Sequence, residues 1–449
     1  MAGGTWTSQN KVQPGVYINT RSRGNLGVSI GEKGVVAIAE PLSWGPSSVI
    51  QEIIPGEDLK PFTGYDVTSP RTLFLREMMK GSDSTPGPIK VLLYRPAGSG
   101  GAKAAATVEG LTATAQYEGI RGNDITVIVH PDKGDVFDVI TVIDGSVVDE
   151  QTVKTIEELK ENAWVKFTGT GAPAETAGQA LEGGKDPEVS PSDYAQFLTV
   201  LEPYTFDILV YDGTDSATMQ AMASFVKRVS ENVGLKCQAV MAGVETSNSE
   251  WVISVNNGVK LSDGTELSPQ QATWWLGGAE AGARYNESLT YARYPDAIEA
   301  FPKKKDTEIS EAIQKGEIVF IDNFGTVKVC TDINTLTSFS VDKGQEYSKN
   351  RVMRVLNQFC NDVYRQFSLY YIGKVDNNET GRGLLKGWIV GYLNEMQANG
   401  GIQNFVADDV SVQAGNSVDS VLVGVWLQPV DAIEKIYMDV AVSVNAEAE

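Results

Sequence analysis

The chain has 449 residues and a formal net charge of −21, because 58 acidic residues outnumber 37 basic ones. This length exceeds what one hydrophobic core supports and predicts three or four domains. The negative charge argues against nucleic acid as the main partner, since phosphate binding needs a basic face. A hydrophobic content of 42% with 21% charged residues is ordinary for a soluble globular protein.

The cysteines and the first residues indicate no export or membrane insertion. Cys237, Cys330 and Cys360 lie far apart, which argues against a disulfide framework and predicts buried free thiols. The N-terminus lacks a charged-then-apolar signal pattern, and no apolar run approaches membrane-spanning length. We therefore expect a cytosolic product.

The first 96 residues begin with an unpartnered strand and continue with a mixed pattern. Lys11–Thr20 carries apolar residues around a Pro-Gly break and is predicted to be a strand. Val35–Glu40 and Ile89–Tyr94 are further predicted strands. Ser69–Lys80 is a predicted helix that is capped by its first residue and has proline in its first turn. These elements together suggest a small mixed domain.

The composition then shifts to small residues from Pro96 onward, and several strand patterns follow. Gly169–Pro187 is rich in glycine and alanine and is predicted to be a loop or linker. The whole block resembles an inserted β-sandwich. Its predicted strands are Asp124–Val129, Phe137–Asp144, Val147–Val153 and Trp164–Thr168.

The next block alternates strands with helices. Phe206–Tyr211, Ala217–Val233 and Lys236–Ala242 read as strand, helix and strand. This βαβ order predicts a parallel sheet with helices on its faces. The further predicted elements are a helix that starts at Ser268-Pro269, a helix over Thr307–Lys315, and strands over Glu317–Asp322 and Thr326–Thr331.

The last hundred residues hold two amphipathic helices and a terminal strand pattern. The helices are predicted over Glu346–Tyr370 and Gly383–Ala398. Lys435–Asn445 alternates strictly between apolar and other residues, which predicts a half-buried strand. A free apolar strand at a chain end invites pairing with another chain. The alternative is that both terminal strands close the sheet of their own domain.

The chain shows no clear catalytic motif. The single histidine, His130, has no partner for a zinc site or a catalytic triad, and Gly277–Gly282 lacks the spacing of a dinucleotide-binding loop. Asp207, Asp212 and Asp215 cluster around the end of a βαβ strand and form the best enzymatic candidate. Aspartates in this pattern are also ordinary turn and N-cap residues. We therefore predict no catalytic, cofactor-binding or metal site.

Several segments together resemble the contractile tail sheath proteins of phages and phage-derived particles, in particular the sheath type of Gram-positive hosts and their defective prophages. These segments are Gly4–Asn19, Tyr117–Ile125 (YEGIRGNDI) and Leu427–Ala441. The resemblance runs along nearly the whole chain, and its motifs are structural rather than catalytic.

This resemblance implies an α+β multidomain fold. The expected parts are an N-terminal mixed domain, an inserted β-sandwich, an α/β domain of subtilisin-like topology, and a C-terminal α+β domain with exchanged terminal strands. The expected boundaries are 1–22 for the N-terminal arm, 23–96 for the N-terminal domain, 97–188 for the sandwich, 189–344 for the α/β domain, 345–434 for the C-terminal domain and 435–449 for the C-terminal arm.

The resemblance also implies a mechanical function rather than an enzymatic one. Sheath subunits stack as hexameric rings around a tail tube and contract from a metastable extended state. The implied partners are further copies of the chain, the tail tube protein, and baseplate and tail terminator proteins, without nucleic acid binding or membrane insertion. The implied location is a virion or tail-like particle that is assembled in the cytoplasm of the host bacterium.

Two sets of site residues follow from the resemblance. The tube contact is expected on a C-terminal-domain helix, with Arg382 and Lys386 as polar contacts. The alternatives to the sheath function as a whole are a cytosolic hydrolase that uses the Asp207–Asp215 region, and a non-contractile baseplate or array protein. The residues expected to exchange strands between subunits are Val12, Val16, Tyr17, Ile18, Ile436, Met438, Val440, Val442 and Val444.

Overall fold

The structure is a computed structural model that describes residues 2–4, 15–17, 33–244 and 247–442. Its first two strands, β1 (Ala2–Gly4) and β2 (Gly15–Tyr17), pair in parallel. The following elements are β3 (Val35–Ala39), β4 (Ile50–Ile53), α1 (Lys60–Thr63), α2 (Leu73–Met78) and β5 (Lys90–Tyr94).

The β-sandwich is present and contains more strands than the sequence predicts. One sheet has the order β10-β9-β8-β12 and the other β11-β7-β6, with a shared apolar core. The predicted loop after residue 169 contains β12, and the small-residue segment after Pro96 forms β6 and β7. The strands are β6 (Lys103–Val108), β7 (Leu111–Glu118), β8 (Ile125–Pro131), β9 (Phe137–Ile143), β10 (Ser146–Val153), β11 (Val165–Gly169) and β12 (Thr176–Ala180).

The motif at Tyr117–Ile125 joins the sandwich to the rest of the chain. Gly119 has φ +130°, and a Cβ there would lie 2.0 Å from the carbonyl oxygen of Ser43, so only glycine fits. The buried guanidinium of Arg121 donates to the carbonyl oxygen of Gly64 at 2.8 Å and pairs with Asp144 at 2.5 Å. The motif is therefore a structural junction.

The central part begins after the sandwich and contains four helices and nine strands among its described residues. They are α3 (Pro191–Leu201), β13 (Ile208–Val210), α4 (Ser216–Arg228), β14 (Gln238–Ala242), β15 (Val252–Val255), β16 (Gly258–Leu261), β17 (Glu266–Leu267), α5 (Pro269–Gly282), β18 (Ala297–Phe301), α6 (Asp306–Gln314), β19 (Glu317–Ile318), β20 (Phe320–Asn323) and β21 (Thr326–Val329).

A seven-stranded sheet of order β19-β15-β14-β13-β3-β5-β4 organises this part. All neighbouring strands are parallel except the edge pair of β4 and β5. The predicted parallel sheet is confirmed, with α5 and α2 on one face and α3 and α4 on the other. Strands β3 to β5, which lie within residues 23–96, belong to this same sheet.

The predicted helix boundaries in this part agree with the local chemistry. At the start of α5, the hydroxyl of Ser268 accepts the N–H of Gln271, whose side chain accepts the N–H of Ser268. A short π-turn extends α4, and Gly234 ends it with φ +98°. Within α5, a Cβ on Gly278 would lie 1.8 Å from the carbonyl oxygen of Met78. The GGAEAG run therefore serves close helix packing rather than phosphate binding.

Among its residues up to 442, the C-terminal part forms two helices and one hairpin. The helices are α7 (Asn350–Tyr370) and α8 (Glu379–Ala398), and the hairpin strands are β22 (Val410–Ala414) and β23 (Val421–Val425). Their facing side chains form a separate core. The predicted apolar stripe of α8 is buried except for Leu384, which is 59% exposed.

Candidate assembly surface

The three aspartates of the enzymatic candidate do not meet at one site. Asp207 precedes β13 and accepts the backbone N–H groups of Gly34 and Val35 at 2.9 and 3.0 Å, whereas Asp212 follows the strand. Asp215 caps α4 by accepting the N–H and hydroxyl of Thr218, both at 2.7 Å. The predicted cluster is thus divided between the two ends of one strand and a helix N-terminus.

Asp212 instead forms a carboxyl pair with Glu40, which follows the neighbouring strand β3. Burial raises the pKa of Asp212, although the indole N–H of Trp274 donates to its Oδ2 at 2.8 Å. Burial and the adjacent Asp212 charge raise the pKa of Glu40 well above its ordinary value. Each of these two buried carboxyl groups therefore retains its proton to a higher pH than a carboxyl group in water does.

The remaining candidate residues, the histidine and the cysteines, do not form a catalytic or metal-binding group among the described residues. His130 is exposed at the end of β8. Cys237 is buried, whereas Cys330 and Cys360 are half-buried, and all three are free thiols. Within the described ranges, no group of three or more histidine, cysteine, aspartate or glutamate side chains is placed to hold a metal ion.

The hairpin of the C-terminal part is an unfinished sheet. Strands β22 and β23 pair only with each other, so each strand leaves one edge without a strand partner among the described residues. Beside β23 lies a cavity of about 310 Å³, lined by Val421 and Val423 and by apolar side chains of the helical pair such as Phe367 and Leu385. Unpaired edges next to an apolar cavity can accept another strand.

The C-terminal arm is exposed where the structure describes it. Residues 435–442 form no strand, and Ile436, Met438, Val440 and Val442 are between 69% and 81% exposed. Within Lys435–Asn445, the residues up to 442 thus form no strand with their own chain. This contradicts the alternative that these residues close the sheet of their own domain. The alternating pattern therefore lacks the burial that its apolar face requires.

The structure describes only some of the other residues that are predicted to exchange strands. Val16 and Tyr17 lie in β2, whose backbone pairs with β1. Val12, Ile18 and Val444 lie outside the described residues.

The predicted tube-contact residues lie on the first turns of α8. Arg382 is half-buried, and its Nη1 donates to the side-chain oxygen of Asn377 at 2.9 Å. Lys386 is half-buried one turn later, and the exposed Leu384 lies between the two in sequence. Arg382 is therefore partly engaged by a hydrogen bond near the N-terminus of α8. The ammonium group of Lys386 is the charge more available for contact with another protein.

Sequence reasoning missed a buried ionic cluster that joins α7 to the central part. Arg354 is fully buried, and its guanidinium pairs with the buried carboxylates of Glu280 on α5 and Asp332. Asn350 donates to Asp332 at 2.9 Å and to Glu280 at 3.2 Å. We refer to these four residues as the Arg354 cluster. Its sequence signal is weak, since polar residues on an amphipathic helix normally face solvent.

Burial dominates the electrostatics of this cluster. Desolvation, with a contribution from the neighbouring Asp332 charge, raises the pKa of Glu280 to about 8. Desolvation also opposes ionisation of Asp332, but the Arg354 charge and hydrogen bonds to its carboxylate lower its pKa overall. One guanidinium neutralises one carboxylate well, so the second carboxyl group retains its proton more readily.

The described residues therefore form a multidomain α+β fold with buried apolar cores, whereas the outer edges of the β22–β23 hairpin and residues 435–442 have no strand partner among them. No helix among the described residues has the length and apolar character to cross a membrane.

Comparison with known proteins identifies the family. Models of the phage tail sheath β-sandwich domain, central domain and C-terminal domain match residues 99–186, 188–335 and 342–443. The phage-like element PBSX protein XkdK of Bacillus subtilis (strain 168) is 35% identical over 475 residues, which cover 99% of this chain and 100% of that protein. The chain belongs to the phage tail sheath family.

Solved structures agree with this assignment. A sheath tail protein from Desulfitobacterium hafniense matches with a TM-score of 0.86 and 41% identity, covering 96% of this chain and 100% of that one. The helical sheath of the anti-feeding prophage in its contracted state matches with a TM-score of 0.57 and 14% identity, covering 98% and 100%. The second match shows a shared fold.

Proposed function

We propose that this chain is the contractile subunit of a tail sheath, which polymerises as stacked hexameric rings around a tail tube. The extended sheath is metastable, and its contraction drives the tube through a cell envelope. The observation that carries the proposal is the exposed alternating arm at 435–442 in a subunit that also has an unfinished two-stranded sheet.

The arm and the hairpin are complementary in chemistry. The described part of the arm has eight residues, which span roughly 26 Å as a strand, about the length of a hairpin edge with its flanks. Pairing would satisfy the free backbone groups of both, and the apolar residues of the arm would be buried against the C-terminal core. Two unpaired edges suit two donors, the N-terminal arm with Val12–Ile18 and the C-terminal arm with Ile436–Val444.

Strand exchange would also explain how subunits stay linked during contraction. A ladder of main-chain hydrogen bonds is local to the arm and the hairpin, so it persists while the sandwich and the central sheet reorient. Contraction requires only that the final lattice bury more surface than the first. At roughly 25 cal/mol per Å² of apolar area, a few hundred additional Å² per subunit contribute several kcal/mol.

The net charge of −21 sets a condition on this assembly. Identical subunits repel one another at a distance, and only close complementary contacts overcome that repulsion. Apolar strand exchange is such a contact, because its energy does not depend on net charge. We infer that higher salt favours polymerisation by screening the repulsion.

The finer assignments are part of the same proposal. The partners would be further copies of the chain, the tail tube protein through Arg382 and Lys386, and baseplate and tail terminator proteins, with assembly in the host cytoplasm. The mostly parallel seven-stranded sheet supports the subtilisin-like topology that the resemblance implies, and the 345–434 block would carry the acceptor hairpin. A shared topology would carry no catalysis with it.

The decisive experiment is negative-stain electron microscopy of the purified chain over a range of protein concentrations. We expect hollow, striated tubules of uniform width above a threshold concentration. The matched variant lacks residues 435–449 and should remain a folded, soluble monomer, because no described residue of 435–442 is buried in its own subunit. Tubules from the truncated variant would refute the role of the arm.

The alternatives predict different outcomes. If the chain stays monomeric and added tail tubes do not nucleate its assembly, the sheath proposal is contradicted. The enzyme alternative would then predict a turnover that is lost in Asp212→Asn. Lattices of one fixed geometry under all conditions would indicate a non-contractile array protein.

A further inference from the structure

Glu434, the last residue before the exposed arm, is held by three separate segments of the chain. Its Oε1 accepts the hydroxyl of Thr290 at 2.7 Å, and its Oε2 pairs with the ammonium group of Lys349 and accepts the hydroxyl of Thr331 at 3.4 Å. Only 13% of the Glu434 side chain is exposed. A carboxylate with several charged and neutral donors is a strong local attachment.

The backbone that leads to Glu434 is also attached. The N–H of Gln403 donates to the carbonyl oxygen of Gln428, and the N–H of Val430 donates to the carbonyl oxygen of Gly401, both at 2.9 Å. These bonds tie residues 428–430 to the loop after α8. Beyond Glu434, no hydrogen bond or ion pair joins residues 435–442 to the rest of the described chain. The change from attached to free chain therefore falls at one residue.

We propose that Glu434 is the root of the C-terminal arm, a positioning residue that fixes where the arm leaves the subunit and how far it reaches into a second copy of the chain. The inference rests on the proposed strand exchange. Thr290 and Thr331 belong to the central part, whereas Lys349 directly precedes α7, so the root is attached where these two parts meet. The direction in which the arm leaves the subunit then depends on the orientation of that junction.

The physical advantage is entropic. Ordering a flexible residue costs backbone entropy, and a longer free tether lowers the effective concentration of the arm at its acceptor. Release of Glu434 would free the preceding residues 431–433 as well, of which Ile433 is 87% exposed. The arm would remain chemically intact but would search a larger volume before docking.

The test compares Glu434→Ala with the control Glu202→Ala. Glu202 pairs with Arg228 on the surface of the central part, so the control removes the same charge and also breaks an ion pair. We expect Glu434→Ala to raise the threshold concentration for tubules about tenfold or more, as expected for a longer tether, and Glu202→Ala to leave it unchanged. The paired reversal Glu434→Lys with Lys349→Glu should recover part of the loss.

A second measurement separates positioning from general stability. Amide hydrogen exchange of the monomer, below the threshold concentration, should show protection at Val430 and none at 435–442 in the wild type. In Glu434→Ala, protection at Val430 should fall while that of the central strands is retained. Loss of protection throughout the chain would show a merely structural role and overturn the inference.

The outcomes also distinguish this inference from the proposed function. If the 435–449 truncation polymerises, the strand-exchange proposal fails. If the truncation stays monomeric but Glu434→Ala forms tubules at the wild-type threshold, the proposed function stands and the role of Glu434 as the root is refuted.

Discussion

The Arg354 cluster and the C-terminal arm reverse the usual distribution of side chains. The cluster places a guanidinium and two carboxyl groups in the interior, with Arg354 and Glu280 both fully buried. The arm leaves the apolar side chains of Ile436, Met438, Val440 and Val442 exposed. Both arrangements are costly for an isolated subunit, since buried charges lose hydration and exposed apolar groups lose burial.

The difference lies in where each cost is offset. The cluster pairs its charges within the chain, because the guanidinium of α7 meets carboxyl groups of α5 and of the segment after β21. The arm has no partner in its own described chain. The junction of the central and C-terminal parts is therefore joined by buried contacts within the chain, whereas the described residues of the arm are exposed. Four predictions test this contrast.

The largest effect is expected from a charge on the apolar face of the arm. Val440→Asp should abolish tubules, because a buried carboxylate in the exchanged strand would be unpaired. The unfolding midpoint of the monomer in urea should not change, since Val440 is 69% exposed. Ala441→Asp, on the opposite face of the same segment, is the matched control and should still polymerise. Equal loss of assembly in both variants would contradict the predicted alternation.

The second effect concerns the junction. Arg354→Ala leaves Glu280 and Asp332 without their shared cation and should lower the free energy of unfolding by about 3–5 kcal/mol. Arg228→Ala removes an arginine from an exposed ion pair and should have a far smaller effect. Urea unfolding of both variants in the Val440→Asp background, which keeps the chain monomeric, measures the difference. Similar midpoints for the two variants would show that the cluster does not stabilise the junction.

The third prediction concerns pH. The folded-state pKa of Glu280 is raised from an ordinary value of 4.5 to about 8, so the folded chain binds an additional proton between these values. This contribution to stability is complete below about pH 4.5 and is lost as the pH rises through 8. Burial lowers the pKa of Lys33 from 10.5 to about 8. The protonation of Lys33 therefore differs between the folded and unfolded chain only above this pH range.

The measurement is urea unfolding at several pH values from 5 to 8, for the parent chain and for Glu280→Gln. Glutamine does not titrate, so the stability of the parent relative to the variant should decrease steadily across this range. Parallel profiles would show that Glu280 keeps the same protonation in the folded and unfolded states.

The smallest effect on the subunit is expected at the start of α8. Arg382→Glu with Lys386→Glu should reduce co-sedimentation with tail tubes several-fold, because rim charges affect association more than stability. Self-assembly of the sheath should persist in the single variant Lys386→Glu, since Lys386 lies neither on the arm or the hairpin nor in the cavity beside β23, which Arg382 lines. Lys227→Glu, exposed at the end of α4, is the control. Unchanged tube binding would place the tube contact on another surface.

The local elements were largely predictable from the sequence. Capping and periodicity correctly indicated α2, α4, α5 and α8, because these features depend on residues three or four positions apart. The residues 103–118 were not recognised as strands, since short runs of alanine and threonine carry little apolar contrast. The strand β12 was missed for the same reason, in a segment rich in glycine.

The site was predictable only in part. The alternation after residue 434 predicts a segment that pairs with another chain, and the apolar side chains of its described residues are exposed. The attachment of Glu434 and the Arg354 cluster were not predictable, because Thr290, Thr331 and Glu280 are distant in sequence from the residues they bind. A polar residue on a helix looks the same whether it faces solvent or a buried counter-charge.

The sequence by itself determined the helices, the terminal alternation and the lack of a catalytic motif, since these depend on neighbouring residues. Only the tertiary structure decided that the strands before and after the sandwich form one sheet, and that Asp212 joins Glu40 rather than Asp207. The physical reason is that strand pairing and burial of charge depend on contacts between distant segments, and those contacts exist only once the chain has folded.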